Sequence, residues 1–238
     1  MLYKIYNFTY IYLCKYNGEF MVKNRTGQLI FETVYIVLGL IGVLGSMGYF
    51  SKQFISDFFI YYTNISNYIC LGVMIKSFLT TIKNSNENTN EYKISSKLHF
   101  VCTVIIIMTF LVYNSSLFLD LKIGDYALSL SSLCFHLFLP IMFTVHYFLY
   151  CVKEPLSWSD PFLTIILPIT YVIFIELRAI IFPNVETKYP YFFLNIQRLG
   201  AIKFFYWILL LIFIMILISY MIMFINSFRW SRKLRKAR

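Results

Sequence analysis

Long apolar runs divided by short polar segments set the plan of this chain. Runs at about 29–50, 57–82, 98–119, 126–152, 161–182 and 201–228 each exceed the roughly 20 residues that a helix needs to cross a bilayer. The pattern predicts an all-α polytopic membrane protein, a bundle of six transmembrane helices. Residues 1–28 form a leader, 29–228 the membrane domain and 229–238 a basic tail. Pro161 opens the fifth run, as proline often does in a first helical turn. Gly39, Gly42, Gly45 and Gly48 recur every third residue in the first, a spacing that lets helix backbones approach closely.

Polar residues inside the runs are not scattered. Thr63, Ser66, Asn67 and Cys70 fall at i, i+3, i+4 and i+7, one face of the second span. Ser129, Ser132, His136 and Pro140 share a face of the fourth, and Pro168, Tyr171, Ile175 and Arg178 a face of the fifth. Asn114, Ser115 and Ser116 lie near the end of the third. Hydrocarbon does not solvate hydroxyls and amides, so these stripes are expected to face the bundle interior.

Composition and charge fit this class. The chain is 59% hydrophobic and 13% charged, too apolar for a soluble domain of 238 residues. Fourteen of its 21 Lys and Arg fall in the leader, the loops after spans two and four, and the tail, so both termini are expected to face the cytoplasm. That orientation puts Thr63 roughly 9 Å and His136 roughly 15 Å below the outer surface. The net charge of +10 gathers in the tail (Arg229, Arg232, Lys233, Arg235, Lys236, Arg238). There it suits anionic lipid headgroups of a cell membrane; no nucleic-acid motif accompanies it. Glu32 opens the first span and is expected at the interface. The five cysteines lack paired spacing, and His136 and His146 lie too far apart to share a metal, so no disulfide framework, metal or cofactor is expected.

A hydroxyl and an imidazole in one sheltered layer suggest acyl transfer. Imidazole takes the hydroxyl proton and later returns it to the leaving alcohol. Asn67, Asn114 or Ser115 would donate to an oxyanion, with Ser66 in the same polar layer. Arg178 would hold a substrate carboxylate. The same residues also serve as interhelical glue, or as the lining of a non-catalytic lipid- or solute-binding protein or transporter, although no internal repeat supports transport. A structural or assembly partner is a third class.

Four short motifs, in order, resemble a bacterial group of "Pr-six-Pr" membrane proteins. Tyr62-Thr63-x-x-Ser66-Asn67 is similar to its F-T-x-x-S-N, and His136-x-x-x-Pro140 to its H-x-x-x-P. Pro168-x-x-Tyr171 followed by Arg178 is similar to its P-x-x-Y-(x)6-R, and Tyr189-Pro190-Tyr191-x-Phe193 to its Y-P-Y-P-F. That group looks related to the androgen-induced and androgen-dependent TFPI-regulating proteins, six-span hydrolases of fatty acid esters of hydroxy fatty acids. The resemblance implies Thr63 as nucleophile and His136 as base. This chain departs from the pattern at His146-Tyr147, where the group has Asp-Trp, and at Ala179, Phe192 and Asn195, where it has Gly, Pro and Asp.

Met21, followed by Val22-Lys23-Asn24-Arg25, reads as the natural start of translation. Mass spectrometry of the native protein is expected to find no peptide from residues 5–15. A fluorescent protein fused after Arg238 is expected to be quenched only by reagents that reach the cytoplasm.

Overall fold

The computed structural model describes residues 25–87, 94–120, 129–151 and 156–236, with side chains at all of these except 87, 116–120 and 228–236. The expected start at Met21, the leader before Arg25, the side chains of the basic tail and that of Ser116 lie outside this description. Six long helices follow one another: α1 Arg25–Ser46, α2 Tyr62–Glu87, α3 Ser96–Asp120, α4 Leu130–Tyr150, α5 Asp160–Ile181 and α6 Ala201–Lys236. All six contain a stretch long and apolar enough to cross a membrane, which makes the chain a multi-pass membrane protein. No strand occurs among the described residues.

Helices α1 to α4 pack around one core and α3 to α6 around another. The first brings together Tyr35, Cys70, Met74, Ile106, Phe135 and Phe143. The second joins Phe100, Ile105 and Tyr147 to Met215 and Ile222 of α6. Helix α6 keeps most of its surface outside both; Phe205, Leu209, Phe213, Leu217 and Phe224 are exposed on the bundle's outside, where acyl chains solvate them. The apolar phase of α1 runs the other way: its buried face is Gln28, Glu32, Tyr35, Gly39, Gly42 and Ser46.

Small residues set the α1 contacts. A Cβ on Gly39 would press against Leu71 of α2. On Gly42 it would strike the ring of Phe135, and on Gly45 the side chain of Ser131, both in α4. Gly48 serves differently from its expected place in the span. Helix α1 stops at Ser46, and Gly48 has φ +83°, a left-handed turn residue just past the helix end. The chain then turns through 47–55 and forms a separate 3-10 turn, Ser56–Ile60, before α2. Thr63 therefore lies in the first turn of its helix, rather than one and a half turns inside it.

Glu32 also departs from expectation. It is fully buried between α1, α2 and α4, not at an interface, because partners on α2 and α4 close over it.

Replacing Gly42 by Leu is expected to cost about 1–3 kcal/mol through overpacking against Phe135. Gly72, whose Cβ would meet nothing within 4 Å, serves as the control. The melting temperature in detergent should fall for Gly42→Leu and hold for Gly72→Ala.

Candidate functional site

The site begins with a proline. Pro140 has no N–H, so the carbonyl four residues earlier, His136 O, loses its α-helical donor. The preceding turn, Cys134–Phe138, is a π-helix, and Leu139 N–H bonds Cys134 O instead of Phe135 O. Two consecutive carbonyls in the middle of α4 are thereby released. Asn67 Nδ2 reaches across from α2 to Phe135 O at 3.0 Å, and Asn114 Nδ2 from α3 to His136 O at 3.2 Å. Each amide also binds a carbonyl of its own helix, Thr63 O at 2.7 Å and Phe110 O at 2.7 Å. The two asparagines expected to donate to an oxyanion thus have their N–H groups committed to backbone. Ser115 Oγ bonds Val112 O and is exposed.

His136 is held within this turn. Its Nδ1 lies 2.9 Å from Ser132 O, and since a carbonyl only accepts, Nδ1 carries the proton and Nε2 the lone pair. The ring stacks on Tyr113 with centroids 3.5 Å apart and planes 10° from parallel. Tyr113 Oη meets Ser132 Oγ at 2.8 Å, which fixes both partners.

Thr63 lies one turn before Asn67 on α2. As a first-turn residue its N–H has no intrahelical acceptor. Tyr191, from the connection between α5 and α6, supplies one: Thr63 N–H donates to Tyr191 Oη at 3.3 Å. The phenol in turn donates to Thr63 Oγ1 at 3.5 Å. Burial pushes the Tyr191 hydroxyl up to about 12, with the Thr63 bonds opposing, so it stays a donor. Ser66 Oγ, one turn along, meets Thr109 Oγ1 of α3 at 2.7 Å.

Thr63, Thr109 and Tyr191 line a cavity of about 620 Å³, open mouth included, bounded by α2, α3, α5, α6 and the loop carrying Tyr191 and Phe193. The rest of its wall is aliphatic and aromatic. His136 is not in that wall, and no hydrogen bond joins its ring to the Thr63 hydroxyl. The two residues share one partner: Asn67 Nδ2 holds Thr63 O and the carbonyl next to His136.

Arg178 lies outside this group. It is buried at the end of α5, where Nη1 donates to Thr187 O at 2.7 Å and Nη2 faces Asp57 at 3.4 Å. Its visible work is to strap the 183–200 connection and the 3-10 turn before α2 beside the cavity. Tyr171, also on α5, donates to Ile60 O at 2.8 Å and anchors the same turn. No group of three or more His, Cys, Asp or Glu able to hold a metal occurs among the described residues.

Sequence reasoning passed over Tyr113, Thr109 and Tyr191 as contributors. Tyr191 sits in the Tyr-Pro-Tyr motif, and Thr109 is a lone hydroxyl in an apolar run, so both left a trace. Tyr113 left none, because a tyrosine near a span end reads as an interfacial anchor.

Asn67→Ala leaves the buried Phe135 O without its donor, while Thr63 O keeps Ser66 Oγ, and is expected to destabilise the fold by about 1–3 kcal/mol, read from unfolding in detergent. Ser115→Ala should be neutral. No protein-family model, curated protein or solved structure matches this chain.

Proposed function

We propose that this multi-pass protein resides in the cell membrane, termini and basic tail on the cytoplasmic side, and hydrolyses lipid esters such as fatty acid esters of hydroxy fatty acids. One observation carries the reading: Thr63 presents a hydroxyl in the wall of an apolar cavity while Asn67 couples its backbone to the turn that bears His136. The tail of the substrate lies against the aliphatic wall and its ester carbonyl against Thr63. His136 Nε2 takes the Thr63 proton as Oγ1 attacks the carbonyl carbon. The ester C–O bond breaks, the leaving alcohol takes the proton from His136, and the acyl group stays on Thr63. Water, deprotonated by the same ring, then releases the acid and restores the hydroxyl.

This sequence requires the His136 ring to leave the face of Tyr113, or a water to bridge to Thr63. The stacked position favours a second reading, in which the cavity binds a lipid without cleaving it. The resemblance of the motifs around Thr63 and His136 to those of a bacterial six-span group that looks related to six-span hydrolases supports the first.

Purified protein in lipid nanodiscs is expected to cleave esters from a lipid panel and to be labelled by a fluorophosphonate probe. Thr63→Ala and His136→Ala should both abolish labelling, while circular dichroism and melting temperature stay near wild type. Equal labelling of Thr63→Ala would remove it as the nucleophile. Lipid binding with neither cleavage nor labelling would establish the second reading.

A further inference from the structure

A second polar cluster lies in the half of the bundle nearer Arg25, and the ester chemistry does not use it. Glu32 of α1 and His146 of α4 are both 0% exposed and meet at 2.9 Å between Oε1 and Nε2. Oε1 also accepts from Ser77 Oγ at 2.6 Å, Gln28 Nε2 at 3.0 Å and Thr81 Oγ1 at 3.4 Å. The Thr81 proton is shared with Ser77 O at 3.0 Å, and an oxygen accepting from the other three donors carries no proton itself. The other oxygen of Glu32, Oε2, has no partner among the described residues. With Oε1 as acceptor, His146 Nε2–H is the donor. His146 Nδ1 likewise has no partner among the described residues. The pair is left with one bare carboxyl oxygen and one bare ring nitrogen, the two atoms at which it can gain or lose a proton.

A polar path reaches this pair from the bundle end. On α1, residues 25, 28 and 32 share a face; on α2, residues 84, 81 and 77 run antiparallel to them. Arg25 Nη1 donates to Asn84 O at 2.7 Å, and Gln28 Nε2 to Thr81 Oγ1 at 3.0 Å. The Thr81 and Ser77 hydroxyls come next, both on Glu32. A hydroxyl gives one proton and accepts another, so it can pass a proton along. Arg25 to Glu32 spans seven residues, roughly 10 Å of helix. Beyond His146, the ring of His99 on α3 stacks on it at 5.3 Å and 19°.

The titratable neighbours are few. His99 faces the pair from α3, Tyr35 lies one turn along α1, Tyr150 packs on the His146 ring and Tyr147 on that of His99. From α2 the facing groups are the neutral Ser77 and Thr81. Structural need alone is a weak reason for such a pair, since apolar residues usually serve the interior of a bundle as well or better. Ionisable groups kept inside a membrane commonly mark ion or proton pathways.

We propose that Glu32 and His146 form an intramembrane proton-binding site, loaded from the Arg25–Asn84 end through the Thr81 and Ser77 hydroxyls. None of its residues lines the cavity at Thr63, so it stands apart from the ester reading.

Solid-state NMR of protein labelled with 15N-histidine, in lipid bilayers, tests it; His99→Gln and His136→Gln assign the three signals. His146 is expected as an imidazolium at neutral pH, and that signal is expected to be lost in Glu32→Gln. Exchange of its ring protons with D2O should slow by about tenfold in Thr81→Val, where one link of the path is removed. A neutral His146 in the wild type, or exchange untouched by Thr81→Val, overturns the proposal. Should Glu32→Gln fail to fold, His146→Gln carries the test by infrared spectroscopy. Glu32, then unpaired, should take up the proton and show a protonated-carboxyl band at neutral pH; absence of that band overturns the proposal.

Discussion

A missing N–H at Pro140 governs the centre of this bundle. Inside a membrane no water satisfies a backbone carbonyl, and an unpaired buried one costs about 1–3 kcal/mol. The proline and the π turn before it strip two successive carbonyls, Phe135 O and His136 O, of their α-helical donors. Only side chains from neighbouring helices can replace those donors. Asn67 and Asn114 do so, and in doing so they fix the register of α2 and α3 against α4. Thr63, Ser66, Tyr113 and Ser132 take their positions from that registration.

The same accounting explains why polar groups form two separate layers. At the Thr63 end, amides and hydroxyls close on backbone carbonyls released by the π turn. At the Arg25 end, a carboxyl group collects hydroxyls, an amide and an imidazole around one oxygen. Between them lies a largely apolar core of Cys70, Met74, Ile106, Leu139 and Phe143, joined by Tyr35.

Charged residues at the Thr63 end brace the loops. Arg178 binds a carbonyl of the 183–200 connection and the Asp57 carboxylate of the turn before α2. Tyr171 holds the same turn through Ile60 O. These straps bring Tyr191 over the start of α2, where the Thr63 N–H lacks an intrahelical partner and the phenol receives it. The cavity under this loop is thus roofed by a segment remote in sequence from the helices that form its walls.

The six helices and the stripes of Thr63/Ser66/Asn67 and Ser132/His136/Pro140 were legible in the chain, because run length and helical phase are local properties that hydrocarbon enforces. Pairing was not local. Asn67 and Asn114 read as catalytic donors until the π turn gave them carbonyls to serve. Glu32 read as interfacial until α2 and α4 covered it. Arg178 was legible as a buried cation, but not its place between Asp57 and Thr187. A sequence states which groups must find partners in a membrane; which partners they find depends on how helices far apart in the chain are rotated and shifted against one another, and only their packing fixes that.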